Sequence, residues 1–360
     1  MMGSFFKDLK HCIKLGIGGM CFLMLSLPNA ALAKQAKPLF SSDDVIKIKL
    51  VAPFSDLKRK ASRSTEPYDG RLTVVGLSPE SHVITLAARG NSRRRPDVCK
   101  FPPLRVKFPK KPDAASLFAK QKSLKLVTHC QSSKSQQKYA LLEYSVYRLY
   151  NVLTPESLKV RMAEIDYVET TTGKVIITRY GFFIEDADDA AKRNNMKEID
   201  QPTVSREQLS TDAAARYGLF QYMISNLDWS VKKGPTGRDC CHNTKLIGAT
   251  KTSVSNIKPV PYDFDYSGLV NAPYAAPPEG IKVSSVKTRR YRGYCVHNDA
   301  VQRQAAMFLA NRPEFERVIS TVPALSDKDK SKAASYLASF FKTLDDPNKF
   351  SRQIIGKCRS

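Results

Sequence analysis

The sequence predicts an α+β protein with two lobes, and three features support this prediction. Residues 34–185 consist mainly of short segments with the alternation or the β-branched composition of strands. Residues 186–360 carry apolar residues mostly at helical spacing. Hydrophobic residues make up 42% of the chain, which supplies a globular core and excludes a chain that is disordered throughout. We therefore expect a β-rich first lobe with one helix and a mainly helical second lobe.

The first 33 residues have the parts of a secretory signal peptide. Three lysines precede a short apolar run at residues 15–27, and Ala31 and Ala33 form a small-residue cleavage signal. An uncleaved membrane anchor is the alternative, but the run is shorter than the roughly 20 residues that span a bilayer. We expect cleavage near Ala33, a mature chain without a transmembrane segment, and a periplasmic or extracellular location.

Strand patterns recur through the first predicted lobe. Residues 45–51 alternate between apolar residues and lysines, as a half-buried strand does, and a basic loop follows at residues 55–70. Further strands are predicted at residues 71–76, 82–88, 104–108 and 124–128. Residues 137–153 have helical spacing and end before Pro155, which predicts the first long helix. Two strands then form a hairpin across residues 158–185.

Helices dominate the second predicted lobe. A short helix at residues 186–194 changes from acidic to basic along its length, which suits the helix dipole. Longer helices with an apolar stripe are predicted at residues 206–226, 298–311 and 330–343. Only residues 245–247 and 260–263 interrupt this helical pattern with short β segments.

The chain is strongly basic, with 58 Lys and Arg against 34 Asp and Glu and a net charge of +24. Removal of the signal segment, which holds three Lys and one Asp, leaves +22. Basic clusters lie at residues 58–63, 93–111 and 287–292, and such clusters attract polyanions. Nucleic acid is disfavoured because zinc-finger, RRM and KH motifs are missing. An anionic envelope polymer or an acidic protein is the expected partner, and a solvated basic surface is the alternative.

Six cysteines remain after the signal segment, an even number that favours up to three disulfides in an oxidising compartment. They are Cys99, Cys130, Cys240, Cys241, Cys295 and Cys358. The sequence does not choose among the 15 connectivities. A metal site at Cys240 and Cys241 is the alternative, but adjacent cysteines do not have the usual ligand spacing.

Four polar residues of the second lobe occur in the order that phosphoryl transfer requires. Asp228 follows a helix, where a carboxylate can orient or deprotonate an acceptor hydroxyl. Asn243 and then Asp263, after a strand, can hold Mg²⁺ against nucleotide phosphates. Asp265 is a second metal ligand or a turn residue. The alternative is that all four only shape turns, as Asn and Asp often do, and that Trp229 is a core anchor.

Seven segments carry a pattern that extends from about residue 40 to residue 270. They are ARGNS at residues 88–92, LRVKF at 104–108, LKL at 124–126, YGFFIE at 180–185, NLDW at 226–229, NTKL at 243–246 and YDFDY at 262–266. In this order they resemble segments of the spore-coat H (CotH) family of atypical, secreted protein-kinase-like proteins. The resemblance implies a reduced, bilobal protein-kinase-like fold, ATP with Mg²⁺ or Mn²⁺, and phosphorylation of an extracytoplasmic protein.

The resemblance also implies roles for residues of the first lobe. Lys125 contacts the nucleotide phosphates, and Glu143 on the first long helix holds Lys125 by an ion pair. Glu185 lies at an adenine-facing hinge. The loop Arg89, Gly90, Asn91 and Ser92 covers the phosphates. In the alternative interpretation Lys125 is an ordinary basic residue and Glu143 lies on a solvated helix face.

One departure from the family pattern leaves the activity open. Asp228 and Asn243 are 15 positions apart, because residues 232–241 are inserted between them. A disulfide through Cys240 or Cys241 would pin this insertion so that Asn243 returns to the site, and an inactive site is the alternative. The alternative function is a non-catalytic kinase-like envelope protein that binds an anionic polymer or an acidic partner.

A third function is a secreted nuclease or phosphodiesterase that uses the carboxylates at 263 and 265 with two metals. Serine hydrolase, P-loop and dinucleotide-binding motifs are missing from the sequence, which disfavours those classes. The sequence carries no signal for an oligomeric state.

Overall fold

Seven strands close into a β-barrel, in the order β1-β2-β3-β4-β5-β7-β6. They are β1 (Ile46–Ala52), β2 (Tyr68–Val75), β3 (Glu80–Ala88), β4 (Leu104–Lys107), β5 (Ser123–Val127), β6 (Val160–Glu169) and β7 (Val175–Ile184). The structure, a computed structural model, describes residues 34–76, 78–232, 234 and 240–360. The signal-peptide prediction falls on residues 1–33, which lie outside the described residues, and export stays a prediction.

Closure of the barrel depends on one parallel strand pair. β1 runs parallel to β6, with Ile46 opposite Ala163, whereas the other neighbouring strands of the barrel are antiparallel. The side chains of β1 alternate as predicted, since its apolar residues are mostly buried and its two lysines are exposed. This alternation fills the barrel with apolar side chains.

The prediction of a bilobal protein-kinase-like fold is wrong. The strands of the first predicted lobe form a closed barrel, and eight helices accompany it in the described residues. The physical reason is that alternation shows which face of a strand is buried but not which distant strand pairs with it. Pairing of β1 with β6 is such a distant contact. The division of the chain between residues 185 and 186 is a separate prediction that the strand pairing does not test.

The eight helices of the described residues mostly follow the barrel in sequence. They are α1 (Phe54–Lys60), α2 (Lys138–Leu153), α3 (Ala187–Arg193), α4 (Thr211–Met223), α5 (Asn298–Ala310), α6 (Arg312–Ser320), α7 (Asp327–Leu344) and α8 (Pro347–Gln353). A three-stranded antiparallel sheet has the order β10-β9-β8. Its strands are β8 (Lys197–Ile199), β9 (Thr244–Gly248) and β10 (Lys258–Pro261).

Most of the predicted elements are confirmed, with their ends shifted by a few residues, but short elements are missed. α1 lies in the predicted basic loop, and β8, α6 and α8 are also missed. α1 buries only Phe54 and Leu57, so its apolar pattern is too short to reveal a helix. Its basic residues lie in the last turn, where positive charge favours a helix.

α2 links the barrel to the segment that follows β10. The ring of Tyr147 lies 5.7 Å from Phe182 of β7 and 4.7 Å from Phe264. Edge-to-face aromatic pairs of this kind fix side chains beyond what burial alone provides. Because Glu143 precedes Tyr147 by four residues, both lie on the same face of α2. The packing of Tyr147 therefore turns Glu143 toward the segment after β10.

Three disulfides confirm that the six cysteines are paired. They join Cys99 to Cys130, Cys240 to Cys241 and Cys295 to Cys358. The expectation that Cys240 or Cys241 ties the 232–241 insertion to another segment is wrong, because a bridge between adjacent residues reaches no other segment. Within the described residues, no helix combines the length and the apolar character needed to cross a membrane.

Candidate functional site

Three carboxylates meet where α2 approaches the segment after β10. Glu143 lies on α2, and Asp263 and Asp265 follow β10. One carboxylate oxygen from each residue lies within 4.8 Å of the other two. Glu143 and Asp265 are buried, whereas 34% of the Asp263 side chain is exposed. These three residues are named the acidic cluster below.

Asp263 has an uncommon backbone conformation. Its φ of +61° lies in the left-handed region, which Asp and Asn adopt more readily than other non-glycine residues. Its backbone N–H donates a hydrogen bond of 2.9 Å to the hydroxyl of Tyr147. Since Tyr147 and Glu143 share one face of α2, this helix positions two members of the acidic cluster.

Arg93 neutralises the acidic cluster. Its Nη1 lies 3.0 Å from Glu143, its Nη2 2.7 Å from Asp263 and its Nε 3.2 Å from Asp265. Only 7% of Arg93 is exposed. Burial alone lowers the pKa of an arginine, but the three carboxylates outweigh it and raise the pKa of Arg93 well above its ordinary value. Arg93 is therefore charged at every accessible pH.

Burial has the opposite effect on the carboxylates. It raises the pKa of Glu143 and of Asp265, because a buried carboxylate loses its hydration. The charge of Arg93 lowers both pKa values in part, and repulsion among the carboxylates raises them again. The acidic cluster is therefore a site where one more positive charge is stabilising.

The acidic cluster has the donor set for a hard divalent cation. Mg²⁺ and Mn²⁺ prefer carboxylate oxygens, and three carboxylates converge here. The Oε1 atom of Glu143 is buried and has no hydrogen-bond partner among the described residues. A buried acceptor without a partner is costly, and a cation or a water molecule would satisfy it. These residues fit a cation if Arg93 leaves its position.

Asp228 lies in a second polar group, with His242 and Asn243. The Nε2 atom of His242 lies 2.7 Å from Oδ1 of Asp228, and Nδ2 of Asn243 donates to Oδ2 at 2.9 Å. Asn243 also donates to the carbonyl oxygen of Asp228 at 2.8 Å. Hydrogen bonds to both carboxylate oxygens of Asp228 thus fix the orientation of the carboxylate, and 26% of the Asp228 side chain stays exposed. These three residues are named the Asp228 group.

A backbone hydrogen bond joins the Asp228 group to the acidic cluster. The N–H of Tyr262 donates to the carbonyl oxygen of Asn243 at 3.1 Å. The next residue along the chain is Asp263. The charge of Asp228 also contributes to the raised pKa of Asp265, which places the two carboxylates within electrostatic reach. The inserted segment therefore does not keep Asn243 away from the acidic cluster.

Lys125, on β5, contacts Tyr262. Its ammonium is 5.1 Å from the centre of the Tyr262 ring, a cation–π distance. Burial, followed by repulsion from Arg89 and Lys245, lowers the pKa of Lys125 to about 8. Among the described residues Lys125 has no ion-pair partner, and Glu143 pairs with Arg93 instead. The ion pair between Lys125 and Glu143 that the family resemblance implies is not formed.

Arg89 is a second cation without a carboxylate partner among the described residues. Burial lowers its pKa, and attraction from Asp263 partly restores it. Gly90, the next residue, has a φ of +89° and is exposed, so the loop turns sharply outward here. Asn91 is also exposed, and Ser92 begins a 3₁₀ turn that carries Arg93. Arg89 and Lys125 are named the basic pair.

Glu185 follows Ile184, which lies opposite Lys125 in the β5–β7 pair, and it has its own partners. Its carboxylate accepts hydrogen bonds from Arg193 at 3.2 and 3.0 Å and from the backbone N–H of Lys159 at 2.9 Å. The residue is 2% exposed. A carboxylate that is buried and paired in this way holds α3 against the end of β7. The contacts of Glu185 give it a structural role, and its adenine-facing role stays a prediction without a contact to support it.

The structure brings together most of the residues that the sequence predicts for the site. Arg89, Lys125, Glu143, Asp228, Asn243, Asp263 and Asp265 form one continuous neighbourhood, linked through Tyr262 and Arg93. Their roles stay predictions.

Sequence reasoning missed three polar residues of this neighbourhood. Arg93 belongs to the predicted polyanion-attracting cluster at residues 93–111, and neither Tyr147 nor His242 has a predicted catalytic role. Two signals were available: Tyr147 follows Glu143 by one helical turn, and His242 precedes Asn243.

A cavity of about 630 Å³ adjoins the acidic cluster. Arg93 and Glu143 form part of its wall, together with Tyr139 and Tyr274. The hydroxyl of Tyr274 donates to Asp265 at 3.1 Å. The cavity is therefore bounded by both partners of the ion pair between Arg93 and Glu143.

Comparisons with known proteins give a structural likeness. No protein-family model matches the sequence, and no curated protein is significantly similar to it. The crystal structure of a Helicobacter pylori proinflammatory kinase, CtkA, is similar over 70% of this chain and 91% of that chain, with 8% identity and a TM-score of 0.38. A TM-score this low carries no argument about fold or activity.

Proposed function

We propose that this protein binds ATP with a divalent cation and transfers the γ-phosphoryl group to a hydroxyl of an extracytoplasmic protein. The observation that carries the proposal is that the basic pair lies close to the acidic cluster, since Lys125 contacts Tyr262 and Arg89 is attracted by Asp263. Arg89 and Lys125 are neighbouring cations without carboxylate partners in the described residues. Two such cations repel each other, and an anion between them removes this cost.

The phosphate groups of ATP fit the basic pair. Arg89 offers several N–H donors and Lys125 a point charge, which is the combination that binds polyphosphates. In the proposed complex the acidic cluster holds Mg²⁺ or Mn²⁺, which supplies neutralisation of phosphate charge. The Nδ2 atom of Asn243 donates to Asp228, and its Oδ1 is the atom that would bind a cation in the role predicted for this residue. Glu143 is a further candidate ligand, because one of its carboxylate oxygens lies with those of Asp263 and Asp265.

The Asp228 group is proposed to act on the acceptor hydroxyl. Asp228 takes the hydroxyl proton, and the hydroxyl oxygen forms a bond to the γ-phosphorus. The bond from the γ-phosphorus to the bridging oxygen breaks, and ADP leaves with that electron pair. His242 and Asn243 keep the carboxylate in one orientation through their hydrogen bonds.

The direct test is nucleotide binding to the oxidised, folded protein. ATP with Mn²⁺ is expected to raise the melting temperature, and Asp263→Asn is expected to remove the part of this shift that needs Mn²⁺. Asp97→Asn is the matched control, because Asp97 is exposed and its one ion pair among the described residues is with Arg95. The absence of any shift with ATP and either cation, in protein shown to be folded, would refute the proposal.

A second candidate function is binding of an anionic polymer or an acidic partner without catalysis. Arg93 favours it, because its guanidinium forms ion pairs with all three carboxylates of the acidic cluster. This function predicts salt-sensitive binding of a polyanion that survives Asp263→Asn. Neutralisation of the exposed Arg95 and of Lys110 and Lys111 is expected to weaken it. Binding that does not depend on salt would argue against it.

A further inference from the structure

The position of Arg93 raises a question about the cation site of the proposed function. A divalent cation needs carboxylate oxygens at about 2.0–2.6 Å. The guanidinium of Arg93 lies between the same three carboxylates, with contacts of 2.7–3.2 Å. Both groups therefore require the same space, and one excludes the other.

Electrostatics favours the cation when it is present. The acidic cluster carries up to three negative charges, and Arg93 supplies one positive charge. A divalent cation supplies two positive charges at shorter distances, and a carboxylate–metal contact strengthens as the distance falls. The Oε1 atom of Glu143, which Arg93 leaves without a partner, would gain one.

The segment that carries Arg93 has few other polar anchors. In the described residues, every side-chain hydrogen bond and ion pair that leaves residues 90–97 comes from Arg93. Arg95 pairs with Asp97 inside the same segment. Gly90 is the first residue of this segment, and the disulfide between Cys99 and Cys130 lies just after its end.

The cavity beside the acidic cluster provides space for a moved side chain. Arg93 forms part of the wall of this 630 Å³ volume. A change of side-chain rotamer into this cavity would carry the guanidinium away from the carboxylates. Because the segment is fixed at both ends, release of Arg93 would change residues 90–98 and leave the strands in place.

We infer that Arg93 is an internal counter-ion that occupies the cation site, and that a divalent cation and Arg93 bind the acidic cluster in mutually exclusive states. This inference rests on the cation site of the proposed function. In the state without metal, the positive charge of Arg93 offsets part of the negative charge of the acidic cluster, which allows the carboxylates to stay buried. Cation binding releases Arg93 and, with it, the loop of residues 89–92 that is proposed to cover the phosphates.

The first measurement is Mn²⁺ binding without nucleotide. Binding is monitored as the loss of the electron paramagnetic resonance signal of free Mn²⁺. Arg93→Met keeps the apolar stem of the side chain and removes its charge. It is expected to bind Mn²⁺ at least tenfold more tightly than the wild type. Arg95→Met, in the same segment but exposed, is the matched control and is expected to bind like the wild type.

The second measurement uses the wild-type protein, so it does not depend on how Arg93→Met folds. Trypsin can cut after Arg93 and after Arg94, whereas Arg95 is followed by Pro96. Saturating Mn²⁺ is expected to speed cleavage at these two bonds several-fold, and removal of Mn²⁺ by a chelator is expected to restore the slow rate. If Arg93→Met unfolds without metal, Mn²⁺ is expected to restore its melting transition.

Three results would overturn the inference. They are equal Mn²⁺ affinity of Arg93→Met and Arg95→Met, cleavage of the wild type that Mn²⁺ does not change, and an unfolded Arg93→Met that Mn²⁺ does not rescue. Equal, measurable affinity in every variant would refute the role of Arg93 and keep the proposed function. No Mn²⁺ binding by any variant would refute the cation site and the proposed function together.

Discussion

The ammonium of Lys125 lies 5.1 Å from the ring centre of Tyr262, and within the described residues it has no carboxylate partner. Lys245, its neighbour, differs because it pairs with Glu198 at 2.6 Å. A partly buried cation without a counter-ion costs folding free energy, and such groups persist mostly where function requires them. This relationship yields two predictions.

Lys125→Met is expected to stabilise the fold and to weaken ATP binding. Removal of an uncompensated charge should raise the free energy of unfolding by about 1–2 kcal/mol at pH 7. Denaturant unfolding and ATP titration measure the two effects. Lys122→Met, on an exposed position next to β5, should change neither. A destabilised variant with normal ATP affinity would show that Lys125 has a packing role alone.

The stability of the wild type is expected to rise relative to Lys125→Met between about pH 8 and pH 10.5. Burial lowers the pKa of Lys125 to about 8, whereas the unfolded chain keeps the ordinary value of 10.5. Between these values the unfolded state binds a proton that the folded state does not bind, so a higher pH favours folding. Unfolding curves at pH 7.5, 9 and 10.5 test this sign. A constant difference between the two proteins would contradict it.

Asp228→Asn is expected to separate transfer from binding. Loss of a general base lowers phosphoryl transfer by about 10²- to 10⁴-fold, while affinity for ATP stays within about twofold. His242→Gln should give a smaller loss, because His242 orients Asp228 and does not take the proton. Transfer to a generic acidic protein and ATP titration are the measurements. A parallel loss of binding and transfer would make Asp228 a structural residue.

His129→Phe is expected to reduce the sensitivity of the fold to acid. His129 is buried against Phe101 and Tyr167, and burial lowers its pKa to about 3. Between pH 6.5 and pH 3 the unfolded chain binds a proton that the folded protein does not bind, so stability falls as the pH falls.

The wild type should lose about 2 kcal/mol relative to His129→Phe between pH 6.5 and pH 5. Urea unfolding at both pH values measures the difference. Stability curves that stay parallel would show that the environment of His129 does not depress its pKa.

Local patterns predicted many elements because they depend on neighbouring residues. Alternation in β1 and helical spacing in α2 give elements whose bounds differ by one residue from the predicted ranges. The order of Asp228, Asn243 and Asp263 in the sequence also predicted that these residues lie near one another. A backbone hydrogen bond from Tyr262 to Asn243 joins the segments that carry them. Such patterns predict structure because they show which side chains of one segment are buried.

The three arginines at 93–95 show where such reasoning stops. In sequence they form one basic cluster, but they lie in and just after a 3₁₀ turn, which sends successive side chains in different directions. Arg93 enters the acidic cluster, whereas Arg95 faces solvent and pairs with Asp97. A composition pattern counts charges and does not show which way each one faces.

The sequence by itself determined most of the strands, the long helices, the even cysteine count and the residue types of the site. Tertiary structure alone decided that β1 closes the barrel against β6, that Glu185 pairs with Arg193 and that Arg93 fills the acidic cluster. The physical reason is the range of the contacts. Periodicity and turn chemistry act over a few residues, whereas strand closure and buried ion pairs depend on which distant segments fold against each other.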